Sequence, residues 1–272
     1  MEWKINHEKF DSIDNFLKVI NSRERNKIMS TQNASREGTK SFTGTKSYEE
    51  AVELLANGYE KPLEKIKTEV AKDLEISKSR QRRIPQNAVV GFVPNVPNYL
   101  LGIPEQMITV SQTTEKTKAI SIVYFIGNNC RTTAEELENA GIKILNVINR
   151  IELSGVRVNL EIVPMCSKES KEYQIVSVKV KDYKDQLDIK KVCFPIAHPS
   201  MFRRLGFAWL ERSADMQNNG FAYGYGSSAK INDERLLNEK VFGENDFFIT
   251  QDHVSCLTVD EIMELINKKF KK

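Results

Sequence analysis

The sequence predicts a three-layer α/β fold, a mainly parallel sheet between helices, on three observations that adjoin one another in the chain. AISIVYFI (Ala119–Ile126) is short, β-rich and almost wholly apolar, as befits a strand buried on both faces. After the polar loop GNNCRTT (Gly127–Thr133), Leu137, Gly141, Ile144, Ile148 and Ile151 recur at spacings of three and four, so they share one face of a long helix. VRVNLEIVP (Val156–Pro164) returns as a second strand behind the stop signal Ser154-Gly155. Two strands joined by a helix of this length make a parallel, right-handed crossover.

Composition sets the bounds around that unit. A chain of 272 residues with 40% hydrophobic and 28% charged side chains has ample material for a buried core. A formal charge of +3 is too small to imply a nucleic-acid partner by itself. No apolar run approaches the length of a membrane span, so no membrane partner is expected. The opening MEWKINHEKFDSID is polar and does not read as a signal peptide. Cys130, Cys166, Cys193 and Cys256 show neither CxxC spacing nor histidines at zinc-site spacing. They read as small buried side chains in a reducing, cytoplasmic compartment, and no cofactor is implied.

The first 83 residues read as a helical region. Phe10, Ile13, Leu17 and Ile20 predict a helix over about Ser12 to Asn21, followed by a polar stretch over Ser22–Lys40. Ser47 and Glu50 form a capping-box pair for a second helix that Gly58 stops. Pro62 opens a third, with Leu63, Ile66, Val70 and Leu74 on one face. It runs into SKSRQRR (Ser77–Arg83), where Lys78, Arg80, Arg82 and Arg83 are either a solvated helix end or a contact for phosphates. Residues 84–117 form a second unit. Four prolines and two glycines in Ile84–Val110 predict an extended segment that packs over the sheet domain, with Pro104 opening a helical turn.

The sheet domain spans 118–272. After the first crossover, MCSKESKE reads as a turn and Tyr173–Tyr183 as a half-exposed antiparallel strand, its side chains alternating between faces. A helical turn is expected over Asp185–Lys190, and VCFPI (Val192–Ile196) reads as a short buried strand. HPSMFRRLGFAWLER (His198–Arg212) is expected to be a helix opened by Pro199, with Phe202, Leu205, Gly206 and Trp209 on its core face. FAYGYG (Phe221–Gly226) sets Tyr223 and Tyr225 in a loop that either stacks nucleobases or packs on its own domain. A short helix over Asp233–Val241, a strand DFFIT (Asp246–Thr250) and a last helix over Leu257–Phe270 follow, the last with Ile262, Leu265, Ile266 and Phe270 inward.

This order, with an antiparallel strand after the first crossover, resembles the von Willebrand factor type A fold over about Lys118 to Lys272. Separately, FTGTKSYEEAVELLANGY, VPNYLLGIPEQM and HPSMFRR resemble an uncharacterised family of phage- and mobile-element-encoded proteins. That second resemblance implies a viral or mobile-element origin, hence a bacterial cytoplasm or a virion, and brings no activity with it.

Ligands of open α/β sheets bind outside the carboxyl ends of the parallel strands. Three loops are expected there: one with Asn128, Asn129, Arg131, Thr132 and Thr133, one with His198, Arg203 and Arg204, and one with Asp252 and His253. The von Willebrand A-like metal site needs Asp-x-Ser-x-Ser after its first strand. Gly127-Asn128-Asn129-Cys130-Arg131 lacks the carboxylate and places a cation where a metal would sit, so no metal is expected. The same loop reads as an anion site at a helix start, or simply as a helix cap with surface charge. His198 before a helix reads as a cap-like hydrogen-bonding residue. GxSxG, Walker, HExxH and CxxC patterns are absent from the sequence.

The expectation is therefore a non-enzymatic binding or assembly protein that docks a protein partner on a metal-free von Willebrand A-like domain. The alternative is a nucleic-acid-associated protein using Lys78, Arg80, Arg82, Arg83, Arg203, Arg204, Tyr223 and Tyr225. A third reading is a phosphate-directed enzyme in which His198, His253 and Asp252 converge.

Overall fold

The computed structural model describes residues 4–24, 40–63, 83–112, 119–128, 131–169, 172–213, 227–228 and 241–270. In chain order these make β1 (Lys4–Phe10), α1 (Ile13–Ser22), α2 (Lys40–Thr43), α3 (Tyr48–Asn57), β2 (Arg83–Ala88), β3 (Val93–Pro94), α4 (Val96–Leu100) and β4 (Met107–Gln112). The second half adds β5 (Ala119–Phe125), α5 (Ala134–Leu153), β6 (Arg157–Glu169), β7 (Glu172–Lys181) and α6 (Ile189–Ala197). A π-helix (Met201–Gly206), α7 (Phe207–Leu210), β8 (Ser227–Ser228), β9 (Asp246–Ile249), α8 (Gln251–Cys256) and α9 (Val259–Phe270) complete it.

The main sheet has the order β1-β7-β6-β5-β9, with β8 paired to the far end of β6. Every neighbouring pair along that order is parallel except β6–β7. This is the mixed α/β architecture that the first crossover predicts. The large core lies on one face, where Ile120, Ile122 and Tyr124 of β5 and Val158, Leu160 and Ile162 of β6 meet α1, α5, α6, the π-helix and α9. On the other face Val123, Phe125, Val163, Cys166, Tyr173 and Ile175 form a smaller cluster with Ile5, Val241, Phe242 and Phe248. One helical layer is thus described. The helix expected over Asp233–Val241 and the loop with Tyr223 and Tyr225 lie outside the described residues, as do residues 64–82.

Several local signals act as read. Ser12 and Ser47 cap α1 and α3 by accepting from Asn15 and Glu50 N–H, and Gly58 ends α3 at φ 87°. Thr133 and Glu136 close a capping box on α5.

Other elements differ from the sequence reading. Lys4–Phe10 is a strand, not part of a helical region, and it pairs with β7 in parallel. That pairing makes β7 an internal strand, so it is buried on both faces along most of its length rather than half-exposed. The residues read as a turn after Pro164 instead continue β6 through Glu169. A register shift between Ile162 and Met165 brackets Pro164, which has no N–H for the ladder and is tolerated in an inner strand at a bulge.

Val192–Ile196 is helical, not a strand. Asp188 caps it by accepting from Lys190 and Lys191 N–H, and Val192 to Ala197 are buried all round, which erases the helical period. Cys256 and Leu265 are exposed, against the expected core positions.

Residues 83–112 fold on themselves. β2, β4 and β3 form a separate three-stranded antiparallel sheet with α4 between β3 and β4. Asn95 caps α4, and it is Pro97 rather than Pro104 that sits in a first helical turn.

Candidate functional site

At the carboxyl ends of β5 and β9, the loop after β5 and helix α8 enclose an open cleft of about 470 Å³. Asn128, Thr132 and Asp252 line it, so the first and third expected rim loops do meet, together with Glu136, Lys143, Gln251 and Ser255. Much of the lining is already engaged. Lys143 donates to the carbonyls of Val254 and, at 2.8 Å, Leu257, closing the end of α8. Glu136 accepts from Thr133 N–H at 2.7 Å, and the Thr133 bonds hold its carboxyl below the usual glutamate range. Asn129 and Cys130 lie outside the described residues. Among the described residues no group of three His, Cys, Asp or Glu side chains is placed to hold a metal ion.

His253 turns away from the cleft. Its Nδ1 accepts from Thr250 N–H at 3.3 Å and its ring stacks on Phe247. His198 is a cap residue too, since its Nδ1 accepts from Ser200 N–H at 3.1 Å. Its ring stacks on Phe194 at 4.6 Å and meets Tyr59 edge-on, and burial pushes its pKa down to about 4. Each histidine is therefore a packed acceptor, and their contact sets do not overlap.

Arg203 and Arg204 are both buried. Thr43–Thr45, a turn that Gly44 closes at φ 83°, is gripped from the π-helix side. Arg204 donates from Nε to Thr45 Oγ1 and from Nη2 to the Thr45 carbonyl, both at 2.6 Å. Ser200 Oγ donates to the Thr43 carbonyl at 2.6 Å. Arg203 lies 3.9 Å over the Phe42 ring and donates to the carbonyls of Phe42 at 2.7 Å and Thr132 at 2.6 Å. Two of the motifs singled out in the sequence, FTGT and HPSMFRR, thus interlock, and through Thr132 they fix the loop that borders the cleft. These guanidinium groups are held by carbonyls, which removes them from the set available to phosphates. Lys78, Arg80, Arg82, Tyr223 and Tyr225 lie outside the described residues, and Arg83 is placed only as the first residue of β2.

The third motif, VPNYLLGIPEQM, belongs to the separate sheet, and there the molecule exposes its apolar side chains. Val90 is 81% exposed, Leu100 77% and Leu101 74%, and Val89, Phe92, Val93, Val96, Tyr99 and Ile103 are exposed as well. The backbone beneath them is tightly tied. Gly91 lies so close to the Ile108 carbonyl that a Cβ would sit 2.3 Å from its oxygen. Phe92 N–H donates to that carbonyl at 3.0 Å, Asn95 Nδ2 to Asn87 Oδ1 at 2.9 Å, and Asn98 Nδ2 to the Glu105 carbonyl at 2.8 Å. Backbone and asparagine hydrogen bonds thus tie this frame together while its valines and leucines between Val89 and Leu101 face water. The sequence did carry a signal for this surface. Ile84–Gln112 holds a single charged side chain, Glu105, in a protein that is 28% charged.

No curated protein and no solved structure matches the chain. The model of a domain of unknown function, DUF7192, matches residues 4–268, so the chain belongs to that family.

Proposed function

We propose that this chain is a non-enzymatic binding and assembly protein of a phage or mobile element, and that residues 83–112 are its principal docking surface. The observation that carries the reading is the row of nine exposed apolar side chains between Val89 and Ile103 on a hydrogen-bonded frame. Exposed apolar side chains gathered in one short segment mark an interaction site in a folded protein. The partner is a protein, because residues 89–103 carry no cation to offer a phosphate backbone. The sheet order β7-β6-β5-β9 with β7 antiparallel supports a von Willebrand A-like scaffold, and the three motifs quoted above support the phage or mobile-element origin.

The test is co-purification from the native host with the wild-type chain and with a variant carrying Val90→Ser, Leu100→Ser and Leu101→Ser. A partner captured by the first and lost from the second is the expected result. Identical partners for both, or neither another protein nor a second copy of this chain for either, would overturn the reading. The nucleic-acid alternative rests on Lys78, Arg80, Arg82, Arg83, Tyr223 and Tyr225, and a salt-dependent gel shift decides it.

A further inference from the structure

Resting on that reading, we infer that the occupant of the apolar face is a second copy of this chain, so that the protein pairs through residues 89–103. Two arguments select this partner. The first is charge. Residues 89–103 carry no charged side chain, so the face meets its own copy without like-charge repulsion and without burying an unpaired charge. A face bearing several charges has to find its complement elsewhere, whereas an uncharged one is already complementary to itself, as a two-fold contact requires.

The second argument is area. Nine such side chains, at roughly 100 Å² each, leave on the order of 900 Å² of apolar surface in water. That is of the size of the ~800 Å² each partner contributes to a standard interface.

The sheet edges indicate how the copies meet. β2 carries Pro85, which has no N–H to give a neighbouring strand, and β3 is two residues long. Strand addition across either edge is therefore poor, and the contact is side chain against side chain.

Sedimentation equilibrium of the purified full chain from about 1 to 100 μM, at low and at 0.5 M salt, tests this. A dimer that does not weaken with salt is expected, since no ion pair holds it. The Val90→Ser, Leu100→Ser, Leu101→Ser variant should be monomeric at the top of that range with an unchanged circular dichroism spectrum, because the three side chains are exposed in the single chain. A wild-type protein that stays monomeric at 100 μM, or a variant that dimerises as well as wild type, would overturn the proposal. If the monomeric wild type still captures another protein through these side chains, pairing fails and the docking reading stands. If capture also ignores the substitutions, both fail. A monomer that co-sediments with phosphatidylcholine–phosphatidylglycerol vesicles would assign the face to lipid and likewise reject pairing.

Discussion

His198 and Glu8 show how single residues set the acid limit of this fold. His198 is buried and neutral, and its pKa lies near 4 against an ordinary 6.5 because burial disfavours the charged ring. The unfolded chain therefore binds a proton between those values that the folded chain does not, and stability falls as pH drops from 6.5 towards 4, by at most about 1.4 kcal/mol per pH unit. Glu8 acts lower on the scale. Burial raises its pKa, but paired bonds from Arg23 at 2.8 and 2.5 Å and one from Trp209 Nε1 at 2.7 Å outweigh that and hold it below the usual glutamate range. Its contribution is present above the ordinary value of 4.5 and lost as pH falls through its depressed value.

Urea unfolding of His198→Asn at pH 7 and pH 5 should show a smaller loss between the two than wild type, leaving the part that His7, also depressed by burial, supplies. An unchanged slope would refute the assignment. Glu8→Gln should lower stability at pH 7 and flatten the decline below about pH 4.5 in the same assay.

Among the elements, the contact between α5 and α6 is decided by Gly141. A Cβ at that position would lie 2.2 Å from Ala197 Cα and 2.7 Å from the Ile196 carbonyl oxygen, so the two helix backbones touch there. Alanine is the better helix former by about 1 kcal/mol, yet Gly141→Ala should lower thermal stability by about 1–3 kcal/mol, because the helices must separate. A rise in Tm would show that propensity governs instead.

At the other end of α5, Lys181 and Glu152 make a buried ion pair at 2.8 Å. Glu152 also accepts from Val158 N–H at 2.8 Å and Arg157 at 3.0 Å, and Lys181 donates to the Val158 carbonyl at 3.1 Å. The pair staples the turn from α5 into β6 against the end of β7. Lys181→Met removes one of the two cations on Glu152 while Arg157 remains, and should destabilise by about 1–3 kcal/mol in chemical denaturation.

For the whole molecule, the same apolar residue types serve two purposes in two places. In the main sheet Val, Ile and Leu are buried between strands and helices, while between Val89 and Ile103 they are displayed. Serine at Val90, Leu100 and Leu101 should change monomer stability by no more than about 0.5 kcal/mol per site while abolishing association. A cooperative loss of structure on the same substitutions would mean that these side chains hold the fold rather than a partner.

What the chain determined by itself was mostly local. The β5–α5–β6 crossover, the caps at Ser12, Ser47 and Thr133, the stop at Gly58 and the β9 strand follow from short-range period and backbone chemistry, which act in any surroundings. The tertiary structure decided what depends on neighbours far along the sequence. Lys4–Phe10 becomes a strand because β7 offers an edge more than 160 residues away. Val192–Ile196 becomes a helix because burial on every side removed the pattern that tells the two states apart. His198, Arg203 and Arg204 look like site residues in the sequence, but folding makes His198 an acceptor for the Ser200 N–H and sets the two arginines against Thr45 and Thr132, where backbone carbonyls take their donors. Burial and long-range pairing are properties of the assembled chain, and no window of residues carries them.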